Sequence, residues 1–235
     1  DLALWADVIV GDYNYVFDPV VRLKRFAEHR QLQLLVDESH QLSPRVSDML
    51  TVRLERALVR NAKATTDEVL KKKVMSIDRA LLALKREFGE GEHVLSGAHV
   101  ETRDNAEKRL DSLQRACTRL LEAVAEHEIE LHGDPALREL IFAASRWLRS
   151  EQWVSEAEFV YVVRTENSEV QVSRVCLDPG PYLEGVFAGH GAVVRFSGTV
   201  TPLPLYQRLH GQLSAVAERA QTPFQAEQAA VVVVR

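Results

Sequence analysis

The stretch Leu34-Leu35-Val36-Asp37-Glu38-Ser39-His40 sets an apolar run directly against two carboxylates, a hydroxyl and an imidazole. Adjacent acids repel and cost free energy unless water, a cation or a hydrogen-bond donor receives them. The run is too short for a helix and ends in charge, so it reads as a buried parallel strand with the acids at its tip. The carboxyl end of such a strand opens into the crevice where α/β sheets hold ligands. Neighbouring strand positions face opposite sides, so the two acids serve different purposes. One carboxylate can take a hydrated Mg²⁺ together with a nucleotide's phosphates. The other can orient or deprotonate a water, and His40 can donate to a neighbouring segment. A strand end that simply meets solvent carries the same residue types, so the motif alone leaves both readings open.

Three other stretches hold candidate chemistry. Ser197, Gly198 and Thr199 end a second apolar run, and their hydroxyls can relay between a nucleotide and another ligand at the same sheet edge. The same residues also make a plain strand-to-helix turn. Tyr13, Asn14 and Tyr15 can stack on or hydrogen-bond the bases of a single strand, or anchor a loop onto the core. Arg53, Arg56, Arg60 and Lys63 recur at three-four-three spacing and form one helical stripe. With Lys71, Lys72 and Lys73 the stripe lines a single-strand path, or it is a solvated face paired with acids such as Glu55 and Asp67. The net charge of -5 favours the second of these and excludes holding nucleic acid by bulk charge alone.

The elements that position these residues divide the chain in three. Residues 1–42 read as strand, loop or short helix, a helix near 20–30, and the acid-tipped strand. Ser43-Pro44 then opens a helix carrying Val46, Met49, Leu50, Leu54 and Leu58. A second helix over about 67–88 places Leu70, Val74, Ile77, Leu81, Leu84 and Phe88 inward, with Gly89 to end it. Residues 89–103 read as a loop. A third helix covers about 104–130 with Leu110, Leu113, Cys117, Leu120 and Val124 inward. Asp134-Pro135 caps a fourth with Leu137, Leu140, Ile141, Ala144 and Leu148. The segment 43–155 is therefore expected to be an all-helical bundle or arm. Residues 156–235 return to α/β, with a hairpin around Thr165–Glu169, a strand before Ser197, a helix after it, and a closing strand in the run 229–234. The fold expected is α/β with a large all-α insertion.

A 235-residue chain with 46 % apolar residues can build a sizeable core, so disorder is not the default. No stretch approaches the roughly 20 apolar residues of a membrane span, and no signal peptide is visible at the start. Strand-like segments close to both ends imply part of a longer protein. Cys117 and Cys176 stand alone, with no metal-ligand spacing and no disulfide framework, which suits a reducing, cytoplasmic setting. His127 and His132 read as surface residues, and Trp5, Trp147 and Trp153 as packing.

The segments Asn14–Pro19 (NYVFDP), Leu34–His40 (LLVDESH) and Phe196–Tyr206 (FSGTVTPLPLY) occur in this order, the last two separated by the long helical stretch. This pattern resembles the XPD/DinG family of superfamily 2 iron–sulfur DNA helicases. There an NYLLDP-like segment precedes a DEAH box, and a TSGTLSPL-like motif III follows a helical arch domain. The likeness covers almost the whole chain, and Thr222–Gln228 (TPFQAEQ) resembles the segment leading to the second motor domain. It implies a partial RecA-like parallel sheet, helicase domain 1, interrupted by an arch over 43–155. It also implies ATP and Mg²⁺, with Asp37 at the metal, Glu38 as the base, and His40 coupling the nucleotide to Ser197, Gly198 and Thr199. Single-stranded or forked DNA and repair proteins docking on the arch are the implied partners, with a nucleoid location if the source is bacterial. Ser39 stands where the family has alanine, and Phe196 where threonine is common. The phosphate loop G-x-x-x-x-G-K-[ST] is absent from these 235 residues. The family's 4Fe-4S cysteines would fall before residue 1. The isolated chain is therefore expected to be inactive. Two other readings stand beside it: a helical interaction module for DNA or protein, and a hydrolase built on Asp37, His40 and Ser197, for which no G-x-S-x-G elbow is present.

Overall fold

The computed structural model describes residues 5–23, 26, 31–65, 68–95, 100–127 and 134–221. The chain opens with one helical turn, α1 (Asn14–Phe17), started by Asp12, whose Oδ1 accepts the Asn14 N–H at 3.0 Å. There follow β1 (Gln33–Val36), α2 (Leu42–Leu50), β2 (Val52–Glu55), α3 (Arg56–Thr65), α4 (Glu68–Phe88), β3 (Gly91–Val94), α5 (Val100–Glu126) and α6 (Pro135–Arg149). The second half holds β4 (Glu158–Glu166), β5 (Glu169–Asp178), α7 (Gly180–Ala188), β6 (Ala192–Arg195) and α8 (Leu203–Leu209). The fold is mixed α/β. The closing strand expected at 229–234, the segment 222–228, His132 and most of the helix expected at 20–30 lie outside the described residues.

The acid-tipped strand is parallel, as expected. β1 pairs with β6 in the register Gln33↔Ala192 to Val36↔Arg195. The ladder continues past both ends, from Gly191 N–H to the Leu32 carbonyl and from Ser39 N–H to the Phe196 carbonyl. Its burial departs from the expectation. Val36 is buried, but Leu35 is 67 % exposed and its register partner Val194 is 53 % exposed. This two-stranded sheet is covered on one face only, so side chains alternate between core and solvent instead of running continuously apolar.

The second sheet is antiparallel, in the order β2-β5-β4-β3. The expected hairpin is its centre. β4 and β5 join through Asn167 and Ser168, and Asn167 takes the left-handed conformation (φ 52°) that a two-residue hairpin turn requires. β5 pairs with β2, and β4 with β3, so the sheet runs across the boundary expected at 155/156. The segment 43–155 is thus not all-helical, because it contributes β2 and β3. The helix expected from Ser43 through Leu58 breaks at Thr51 into α2, β2 and α3. Residues 89–103, expected to be a loop, hold β3 and the start of α5.

The amphipathic helices otherwise follow the sequence. α4 buries Leu70, Val74, Ile77, Leu81 and Leu84 along one stripe, each contributing about 1.5–3 kcal/mol relative to exposure. Gly89 ends it at φ 77°. Asp134 caps α6 by accepting the Leu137 N–H at 2.9 Å. α3 packs on α4, α4 on α5, α5 on α6, and α6 back on α3 and on β2, which closes a ring of four helices beside the antiparallel sheet. Trp147 and Trp153 are core residues, whereas Trp5, expected to pack, is 88 % exposed. Arg174 of β5 is fully buried between the rings of Trp147 and Tyr161. It donates to Ser150, Glu151 and the Tyr161 hydroxyl. Among the described residues no helix is long and apolar enough to cross a membrane.

Candidate functional site

β1 ends at Val36, and the chain turns at once. Glu38 sits in the left-handed region (φ 47°, ψ 40°), a conformation costly for a residue with a Cβ. The turn drives Ser39 into the interior, leaves Asp37 and Glu38 exposed, and starts the short 3₁₀ segment Ser39–Gln41 that leads into α2. The acids therefore lie in a turn beyond the strand. Their separation comes from the turn and not from strand alternation. The Asp37 carboxylate accepts its neighbour's N–H, from Glu38, at 2.7 Å.

Glu38 and His40 meet Ser197, which β6 delivers to the same rim. His40 Nδ1 lies 2.8 Å from Ser197 Oγ. Ser197 Oγ lies 3.1 Å from Glu38 Oε2, and His40 Nδ1 lies 3.2 Å from the same carboxylate oxygen. One proton arrangement satisfies the chain of contacts: His40 Nδ1–H donates to Ser197, and the Ser197 hydroxyl donates to Glu38. The Thr199 N–H adds a bond to Ser197 Oγ at 3.3 Å, and its hydroxyl lies 3.4 Å away. Gly198 faces open space. The acid box and the distant serine–threonine tip thus meet, as the sequence reading requires.

The triangle differs from a hydrolytic triad. In a Ser-His-Asp relay one ring nitrogen faces the serine and the other faces the acid. Here a single nitrogen of His40 faces both Ser197 and Glu38, so no proton passes through the ring between them. Cys117 and Cys176 are both buried, and burial pushes their thiols up to about 12 and about 11, which leaves them neutral and unreactive. Neither suits an iron–sulfur cluster.

Tyr13 lies against the acid turn instead of in solution. Its hydroxyl donates to the Asp37 carbonyl. Its ring lies under the Arg45 guanidinium at 5.0 Å and meets Phe17 edge-on at 5.7 Å. Arg45 is in turn 3.6 Å from Asp12. Burial raises the Tyr13 pKa, with Arg45 opposing it, so the hydroxyl stays a donor at neutral pH. Asn14 and Tyr15 are exposed on the same turn. Gly11, Asp12, Tyr13, Asp37, Glu38, Gln41 and Arg45 line an open cleft of about 290 Å³. Three carboxylates, Asp12, Asp37 and Glu38, stand on it, but among the described residues no group of three or more His, Cys, Asp or Glu side chains is arranged to hold a metal ion.

The basic stripe does not form. Arg53 belongs to β2 and Arg56 begins α3, so the two are not on one helix. Arg56 pairs with Asp78 at 2.7 Å and donates to the Ser168 carbonyl, and Arg60 pairs with Glu169. Lys71 is bonded to Glu68 at 2.5 Å. Lys63 is exposed. Among the described residues the acids that meet these cations are Asp78, Glu169 and Glu68, and Asp67 lies outside the described residues. His127 is exposed, as expected.

Sequence reasoning missed Asp12, Arg45 and His210. Asp12 could have been recognised as a helix-starting aspartate in Gly-Asp-Tyr-Asn. His210 follows α8 and is 3 % exposed. It lies beside the Ser39 backbone and the Tyr206 ring, and its Nε2 has no partner among the described residues. Burial first, and then Arg195, lower its pKa to about 4. Arg195, whose guanidinium covers Phe187 at 5.2 Å, likewise has a buried Nη1 without a partner.

No protein-family model and no curated protein matches the chain.

Proposed function

We propose that the chain is the portion of an ATP-dependent DNA helicase of the XPD/DinG type that carries the DEAH-like box, the arch and motif III. The observation that supports this reading best is the hydrogen-bonded triangle of Glu38, His40 and Ser197, drawn from segments 159 residues apart. A carboxylate that is to activate water beside a nucleotide has to be exposed at a strand tip and held in one orientation. Glu38 is exposed there and restrained by Ser197. His40 links the acid turn to the serine, so a change at one is felt at the other. Asp37 and Asp12, on the rim of the cleft, are the carboxylates that would receive Mg²⁺, which would supply charge neutralisation for the phosphates. Asn14 and Tyr15 remain the candidates for contact with a single strand. Arg53, Arg56, Arg60 and Lys63 do not share a face, and two of them are engaged locally, which weakens their assignment to DNA.

The test is DNA-stimulated ATP turnover by the full-length protein and by its Glu38→Gln variant. The variant should bind nucleotide normally while turnover falls about 10²- to 10⁴-fold. Turnover near the parent rate would remove Glu38 from its assigned role. The isolated 235 residues, which lack the phosphate loop, should show none.

A further inference from the structure

We propose that Tyr13 is a positioning residue for the acid pair: its hydroxyl, steadied by Arg45, fixes the Asp37 carbonyl and with it the left-handed turn that presents Glu38 to Ser197. This rests on the helicase reading for its kinetic consequence but not for its geometry. A non-glycine residue at φ 47° persists only where its surroundings hold it. The turn is held from two sides. On the β6 side the Ser39 N–H donates to the Phe196 carbonyl at 3.1 Å. On the other side Tyr13 reaches across 24 residues of sequence to the Asp37 carbonyl.

The phenol itself has little freedom. Arg45 covers one face of the ring, Phe17 abuts it edge-on, and Asp12 ties Arg45 in place. A tyrosine used to stack on bases would need an open ring face. Here Arg45 takes one face of the ring, and the polar end points at the residue that carries the first acid. Without the hydroxyl, the Asp37 carbonyl loses the Tyr13 donor, and the peptide between Asp37 and Glu38 is held only by the local bond from the Glu38 N–H to the Asp37 carboxylate and by the Ser39 N–H on the β6 side. The Glu38 carboxylate then leaves Ser197. Tyr13 contributes no group to the chemistry itself, so the effect falls on the rate of the reacting complex and not on nucleotide affinity.

The experiment has two arms. In the 235-residue chain, Tyr13→Phe should shift the amide NMR resonances of Asp37, Glu38 and Ser39 and leave those of the β4–β5 hairpin in place. In the full-length protein the same variant should lower kcat about tenfold and change the ATP KM less than about twofold. Should Tyr13→Phe fail to fold, Arg45→Gln, at a half-exposed position, reads the same bracket. Unmoved resonances at residues 37–39, or a full kcat in the variant, would overturn the proposal. Moved resonances in a protein whose wild type hydrolyses no nucleotide would leave the positioning role standing and sink the helicase reading instead.

Discussion

Lowering the pH from 7 to 4.5 protonates His210 in the unfolded chain, while the folded site resists the charge. The side chain is almost wholly buried beneath the Ser39 turn, and the Arg195 guanidinium is its charged neighbour. Burial and Arg195 both disfavour the imidazolium, the hydrogen bond to the Ser39 backbone favours it, and the balance sets the folded-state pKa at about 4 against 6.5 for a free histidine. The unfolded chain therefore binds this proton more tightly than the folded one. The contribution to stability is complete above pH 6.5, declines through the interval down to about 4, and is gone below it. At ~1.4 kcal/mol per pH unit the gap bounds the effect near ~3.5 kcal/mol, and because the interval stops short of the folded pKa the expected loss is about 2 kcal/mol. Urea unfolding of the chain between pH 7 and 4.5, compared with His210→Leu, isolates it, because the carboxylates titrate in both and cancel. The wild type should lose about 2 kcal/mol more than the variant over that interval. Parallel acid profiles for the two, or an NMR titration of the His210 ring centred near 6.5, would refute the reasoning.

Two further outcomes follow from the packing. Ser197→Ala removes the shared partner of His40, Glu38 and Thr199, but the tip is solvent-exposed, so urea unfolding should register only about 1 kcal/mol; a loss above about 3 kcal/mol would make the tip a structural clasp. Arg174→Ala should cost about 3–5 kcal/mol in the same assay, because it opens a cavity between Trp147 and Tyr161 and takes the guanidinium donor from the Tyr161 hydroxyl, while Ser150 keeps its bond to the Trp147 carbonyl. Arg174→Met, which fills the space without a buried charge, should recover at least half of that, and an equal loss in both variants would count against the packing explanation.

The sequence revealed the parts of the fold that obey one period over many residues. The stripe from Leu70 to Leu84 and the Asp134 cap appear where the spacing puts them. β2 escaped because Leu50, Leu54 and Leu58 sit four apart and satisfy a helical period, while Val52 and Leu54 alternate over only four residues. β3 has almost no apolar alternation of its own and exists because β4 offers it a ladder. Leu35 looked buried because an apolar run does not reveal that one sheet face is uncovered. At the site, the residue types of Glu38, His40 and Ser197 were legible and so was their order. Two apolar runs ending in polar residues place both tips at one sheet edge, and in the structure the tips lie at hydrogen-bond distance. Arg45 and His210 carried no signal, since one reads as a surface charge on α2 and the other as the residue after a short helix. Their significance comes from neighbours that lie far along the chain.

The pairing of β2 with β5 has a bearing on the order of assembly. His40 and Ser197 stand 157 residues apart, and a disordered loop of that length is slow to close. Once Val52 lies opposite Arg174, only a few tens of residues of free chain separate the two segments, and the entropy still to be lost on closure falls by about 1 kcal/mol. The antiparallel sheet with its helical ring is then a staple: it is expected to form first, and the acid turn and the serine tip are brought together by its prior folding.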